Sequence, residues 1–251
     1  MSIVRSWLVL VFCAFAIHSP LASAVEPSSP EEYLRVFQSG LKIEKQNAAA
    51  SLAWAGISSP KLFDLIEKEV LDNYQSASSR NSVAYVAWMI KALSFSGNEK
   101  YRATLGKVVT ETKARKLRKY GTYALEQLSL YKKYNPIIAP KAWPEHKHPS
   151  LNQRLINMLK SNEYELIRIA AKQINNEYNY QPELLAAVDQ AIKAHYKTVN
   201  DPLSVDAIAW ACRSIAGSRD EQYKAIIEEV SKNALNRKLR KYARKYLKYY
   251  R

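Results

Sequence analysis

Ala114–Leu128 reads ARKLRKYGTYALEQL and Asn236–Tyr250 reads NRKLRKYARKYLKYY; the six residues RKLRKY recur unchanged 122 positions apart. The same offset carries Pro27 onto Pro149, Ala48-Ala49 onto Ala170-Ala171, Pro60 onto Pro182 and Leu62 onto Leu184. It also carries Tyr74 onto Tyr196, Ala87-Trp88 onto Ala209-Trp210, and Ser96, Glu99, Tyr101 and Val108 onto Ser218, Glu221, Tyr223 and Val230. No insertion or deletion interrupts the match from Pro27 to about Ser129. Self-similarity in one register is the signature of an internal duplication, and it organises every further reading of the chain.

Residues 1–24 read as a leader. Arg5 is followed by the uncharged run Trp7–Ile17, and Ala22-Ser23-Ala24 has the small-x-small pattern of a signal peptidase site. The run is short of the roughly 20 apolar residues that span a bilayer. Cys13 lies inside that run, which argues against a lipid-modified start; an uncleaved anchor is the other reading. The expectation is export, most simply to a bacterial periplasm, because no Asn-x-Ser/Thr acceptor occurs. Cleavage leaves one cysteine, Cys212, which cannot form an internal disulfide and follows Trp210-Ala211 on an apolar stripe.

Arg5 is the one charged residue of the leader, so the remainder keeps +14 of the +15 net charge. That imbalance predicts salt-dependent attraction to anionic surfaces. Ordinary apolar content with only six glycines fits a helical globular chain.

Apolar residues recur at helical spacing through the whole mature chain. Helices are expected over about 30–40, 42–57, from Pro60 through Val70, and over about 82–93, 99–111 and 113–134, with proline starts at Pro30 and Pro60 and glycine stops at Gly40, Gly56 and Gly97. Asn135–Pro149 (NPIIAPKAWPEHKHP) holds four prolines and no helical period, and reads as a linker. The plan then repeats over about 152–161, 163–176, 182–197, 202–216, 220–234 and 236–250. No strand is expected. The predicted fold class is all-α: a solenoid of six helical hairpins, as a first half over 25–134, a linker over 135–149 and a second half over 150–251.

Leu166–Ile174 (LIRIAAKQI) and Lys116–Leu125 (KLRKYGTYAL) resemble the second helix of HEAT repeats, where a branched residue and Arg precede small residues that meet a neighbouring helix. The resemblance covers nearly all of the mature chain, although the Asp-Val pair common in the HEAT turn is missing from most units. It implies hairpins that each bury an apolar face against their neighbours, and a concave groove able to hold a partner. Armadillo-like and other hairpin arrays share this geometry.

At about 100° per residue, Leu235, Leu239, Tyr242, Ala243, Tyr246, Leu247, Tyr249 and Tyr250 fall on one arc of the last helix. Arg237, Lys238, Arg240, Lys241, Arg244, Lys245, Lys248 and Arg251 fill the other, with no acid among them. The sixth helix repeats the pattern with Arg115, Lys116, Arg118 and Lys119. Two readings stand. A terminal repeat needs a polar outer face, or the cations form a surface for an anionic partner, since a one-sign face repels itself. The candidate partners are another protein, an anionic lipid, lipopolysaccharide or another polyanion, with nucleic acid disfavoured by export.

Trp54, Trp88 and Trp210 sit in helical contexts and read as packing or as groove anchors, while Trp143 lies in the linker. Glu145-His146-Lys147-His148 could offer two imidazoles to a metal, but no second cluster completes a site. His195 reads as a surface or capping residue. There is no phosphate loop, dinucleotide turn, nucleophile elbow or zinc-protease helix. The alkyl-purine DNA glycosylases are basic and built on HEAT-like repeats, yet no acid beside an aromatic cradle is found here. The expectation is a non-enzymatic scaffold without cofactor, with an anion binder second and such an enzyme third.

Overall fold

The computed structural model describes residues 26–140 and 147–250. Twelve α-helices and no strand occur among them. The first half comprises α1 (Pro30–Ser39), α2 (Lys42–Ser51), α3 (Pro60–Asn73), α4 (Arg80–Ser94), α5 (Arg102–Glu111) and α6 (Arg115–Ile138). The second comprises α7 (Leu151–Leu159), α8 (Tyr164–Asn176), α9 (Pro182–His195), α10 (Pro202–Gly217), α11 (Lys224–Asn233) and α12 (Arg237–Tyr246). Helices α2, α3, α4, α5 and α6 each begin 122 residues before their counterparts in the second half, and a 3₁₀ turn precedes both α5 (Glu99–Tyr101) and α11 (Glu221–Tyr223). The leader over 1–24 and Trp143, Glu145 and His146 lie outside the described residues.

Local chemistry explains the boundaries. Ser29, Ser79 and Ser150 accept from backbone N–H groups two to three residues into α1, α4 and α7, and Asp201 and Asn236 do so for α10 and α12. Such caps satisfy donors that a helix start leaves unpaired. Proline opens α1, α3, α9 and α10, where its missing N–H costs nothing.

Packing follows two interleaved sets. The even-numbered helices contact one another in order, α2 with α4 and α4 with α6, then α8 with α10 and α10 with α12. Odd-numbered neighbours pair as α1 with α3, α7 with α9 and α9 with α11, and each odd helix packs on the even helix that follows it. One continuous core results, in which Phe63, Ile66, Met89, Ile90, Leu105 and Leu117 and their second-half counterparts are shut off from water. Burial of this kind stabilises by about 25 cal/mol for each Å² of apolar surface.

Helix α6 differs from the expectation. It does not stop at Tyr134 but continues through Pro136 to Ile138, shortening the linker. The amide of Asn135, itself buried, donates to the carbonyls of Ile57 (3.3 Å), Phe95 (2.9 Å) and Ser96 (3.2 Å). The last turns of α6 thus lie across the α2–α3 and α4–α5 turns, with Ile138 fully buried. A helix-interior proline costs about 3 kcal/mol; the two amide N–H groups of Asn135, shared among three carbonyls, and a buried isoleucine act against that cost.

The second half joins at this end. Asn157 Nδ2 donates to the Ile138 carbonyl (3.1 Å), and Lys133 pairs with Glu163 at 2.5 Å. Arg154 of α7 is 1% exposed; it donates to the Pro149 carbonyl (3.3 Å) and lies 4.0 Å from Glu26 Oε1. Its burial makes this junction an obligatory contact, because an exposed surface would not shield a guanidinium so fully.

Candidate interaction surface

The repeated motif does two jobs. In RKLRKY the leucine, Leu117 or Leu239, is wholly buried. The second arginine is also committed: Arg240 Nη1 donates to the carbonyls of Ala234 (2.5 Å) and Leu235 (2.9 Å), and Arg118 Nη2 donates to that of Thr112 (3.3 Å). These carbonyls end α11 and α5, so the arginine clamps the preceding turn. Arg118 and Arg240, predicted as anion-facing, therefore hold the hairpin together, a use that charge on a helical wheel does not reveal.

Of the other predicted cations, Arg251 lies outside the described residues. Arg115, Lys116 and Lys119 on α6, and Arg237, Lys238, Lys241, Arg244, Lys245 and Lys248 on or just after α12, are all exposed. None lies within 4.0 Å of a carboxylate among the described residues. Asn236 already caps the first N–H groups of α12, so any anion bound there would meet side chains and not the bare helix end.

The predicted aromatics separate into two groups. Trp54 is half-buried at the junction of the halves, with its Nε1 donating to Glu26 Oε1 at 2.7 Å. Burial raises the Glu26 pKa, and the Trp54 bond and Arg154 pull it back. Trp88 and Trp210 are half-buried on the even-helix face, and each lies under a cation. Lys91 Nζ stands 4.1 Å from the Trp88 ring centre and 5.9 Å from that of Tyr120. Arg213, at the position equivalent to Lys91, stands 4.8 Å over Trp210, with Lys172 at 5.0 Å on the same ring. Burial lowers the pKa of Lys91 and of Lys172, the latter with help from Arg168.

These pairs belong to a strip that crosses both halves. From Trp88, Lys91 and Tyr120 it continues to Tyr123 on α6, which feels Glu165 and Arg168 of α8. Arg168 reaches Glu165 (2.6 Å) and Asp206 (3.4 Å), and then come Lys172, Trp210 and Arg213. Tyr242 and Tyr246 stack at 6.3 Å with an interplanar angle of 9°, and Tyr249 follows at 6.0 Å from Tyr246. Tyr246 is buried as the sequence predicts, whereas Tyr242 and Tyr249 keep one edge in water. Lys91, Lys172 and Arg213 escaped the sequence reading. For Lys91 and Arg213 the signal was a cation three residues after Trp88 and after Trp210, which one helical turn places over the ring, whereas Lys172 reaches Trp210 from α8 and no local spacing marks it.

Cys212 is fully buried, and burial pushes its thiol up to about 12. Burial and the nearby Arg154 push His148 down to about 4, against a backbone hydrogen bond at Ala55, and burial lowers His195. Among the described residues, no three His, Cys, Asp or Glu side chains converge as metal ligands would. Compared with known proteins, the chain matches no protein-family model and no curated protein.

Proposed function

We propose that this chain is an exported, HEAT-like solenoid scaffold, built of two duplicated three-hairpin halves, that holds an acidic segment of another protein along its even-numbered helices. The supporting observation is the placement of half-exposed rings beside cations, Trp88 with Lys91 and Trp210 with Lys172 and Arg213, continued by Tyr242. Rings give an extended chain flat contact at small entropic cost, and partly desolvated cations meet carboxylates more strongly than fully hydrated ones. Export to the periplasm is part of the proposal and rests on the leader sequence. In this reading the protein performs no chemistry and carries no cofactor.

A glutamate-rich peptide of about ten residues, titrated against intrinsic tryptophan fluorescence, tests it. The expected result is a saturable signal that weakens with salt and about a tenfold loss of affinity for Trp210→Ala. No saturable signal, or undiminished binding by Trp88→Ala/Trp210→Ala, overturns it.

A further inference from the structure

The duplication supplies an internal control, because each position of one half can be compared with its counterpart in the same fold. The α9–α10 and α11–α12 turns lie side by side: Leu235 N donates to the Tyr196 carbonyl (3.3 Å) and Asn236 Nδ2 to Asn200 Oδ1 (2.9 Å). On this edge Leu203 is 40% and Leu235 54% exposed. Lys197, Lys232, Arg237, Lys238 and Lys241 surround the two turns, all exposed and none ion-paired within 4.0 Å among the described residues. An open depression of about 720 Å³ brings Leu235 together with Asn200, Arg237, Lys238, Lys241 and Arg244.

The matching edge of the first half keeps Arg115, Lys116 and Lys119 at the positions of Arg237, Lys238 and Lys241 but lacks the exposed leucines. Asn81 stands at the position of Leu203, Lys113 at that of Leu235, Gln75 at that of Lys197 and Thr110 at that of Lys232. Two acids on the second-half edge keep their charge, Glu229 close enough to Lys197 and Lys232 to feel both, and the five cations outnumber them. Asp201 accepts from the backbone of Leu203 and Ser204, and Glu229 accepts from the Tyr196 hydroxyl. The first half does expose an apolar pair, Leu41 and Ile43, but beside Glu44 and the Lys45–Glu69 ion pair, so no excess of positive charge gathers there.

From this contrast we infer that the edge formed by the α9–α10 and α11–α12 turns docks on an anionic phospholipid surface. Leu203 and Leu235 enter the interface, and the five cations meet headgroup phosphates. Apolar side chains ringed by Lys and Arg suit a membrane–water boundary, where the leucines gain an apolar medium and the cations an anionic plane. A soluble polyanion would use the cations and leave both leucines in water. No described helix is long and apolar enough to cross a membrane. The inference does not depend on the groove reading.

Co-sedimentation with phosphatidylglycerol/phosphatidylcholine vesicles, against phosphatidylcholine alone and against soluble polyphosphate, decides it. The wild-type chain is expected to bind the anionic vesicles and not phosphatidylcholine alone, more weakly as salt rises. Leu203→Asn/Leu235→Lys places the first-half residues in the second half and adds a positive charge. It should lose about tenfold in vesicle affinity while keeping its affinity for polyphosphate. Lys238→Gln/Lys241→Gln should weaken both, and Trp88→Ala/Trp210→Ala neither. Undiminished vesicle binding by the leucine variant, or no vesicle binding by the wild type at physiological salt, overturns the inference.

Discussion

The two halves turn their corners at equivalent positions with different residues. Gly56 (φ 67°) and Gly97 (φ 62°) of the first half correspond to Tyr178 (φ 51°) and Arg219 (φ 58°) of the second. All four occupy the left-handed region, which side chains other than glycine enter at a cost of about 1 kcal/mol. In the first half the overhanging end of α6 presses on both turns. A Cβ at Gly97 would lie 2.4 Å from the Lys132 backbone nitrogen, and one at Gly56 would lie 2.8 Å from the Ala139 Cβ. Helix α12 gives way to a 3₁₀ turn at Leu247, so the second-half corners are open enough for Tyr178 to be 78% exposed. The backbone demand is shared, then, while the steric demand belongs to the half that carries the junction.

Breaking that distinction gives the largest expected effect. Gly97→Arg should destabilise by at least about 3 kcal/mol, since strain and backbone overlap add. The mirror change Arg219→Gly should be neutral or stabilising by up to about 1 kcal/mol. Urea unfolding of both variants checks this, and equal losses would show that the corners are equally confined.

The arginine clamps sharpen the comparison at a smaller scale. Arg240 holds two carbonyls and Arg118 one. Arg240→Gln should cost about 1–2 kcal/mol and Arg118→Gln about half of that. Thermal unfolding of the two variants reads the difference directly; a larger loss at Arg118 would reverse the assignment.

The junction adds a pH dependence that neither half has alone. His148, equivalent in position to Glu26, is held neutral with its pKa near 4, below the 6.5 of an unfolded chain. Its contribution is therefore complete above pH 6.5 and is lost as pH falls towards 4; for a half-exposed ring this is about 1 kcal/mol. Glu26, with its pKa raised, acts with the opposite slope, losing stability as pH rises through its titration. The melting temperature of His148→Gln should fall less than that of the wild type between pH 7 and pH 4.5, and an unchanged slope would remove His148 from the junction.

Helix positions were legible in the sequence because one apolar spacing occurs twice and caps or prolines, Pro60 and Pro182 among them at equivalent positions, mark many of the starts. What escaped depended on contacts between distant segments. Pro136 signals an ending, yet the Asn135 amide bonded to Ile57, Phe95 and Ser96 carries α6 beyond it. Trp54 shares its helical setting with Trp88 and Trp210, and only the neighbouring Glu26 sets it apart. A helical wheel likewise counts Arg240 with Lys241, because the carbonyls that Arg240 reaches lie on the turn before its own helix.

The central claim is that two copies of one fold have diverged, so that the second carries the anion-facing edge. Its most direct test removes equal charge from equivalent positions while sparing both clamps: Arg115, Lys116 and Lys119 to Gln in one variant, Arg237, Lys238 and Lys241 to Gln in the other. Binding to anionic vesicles at low salt should fall about a hundredfold for the second-half variant and by less than about twofold for the first-half variant. Equal losses from the two would contradict the claim and make the positive charge a property of the whole surface.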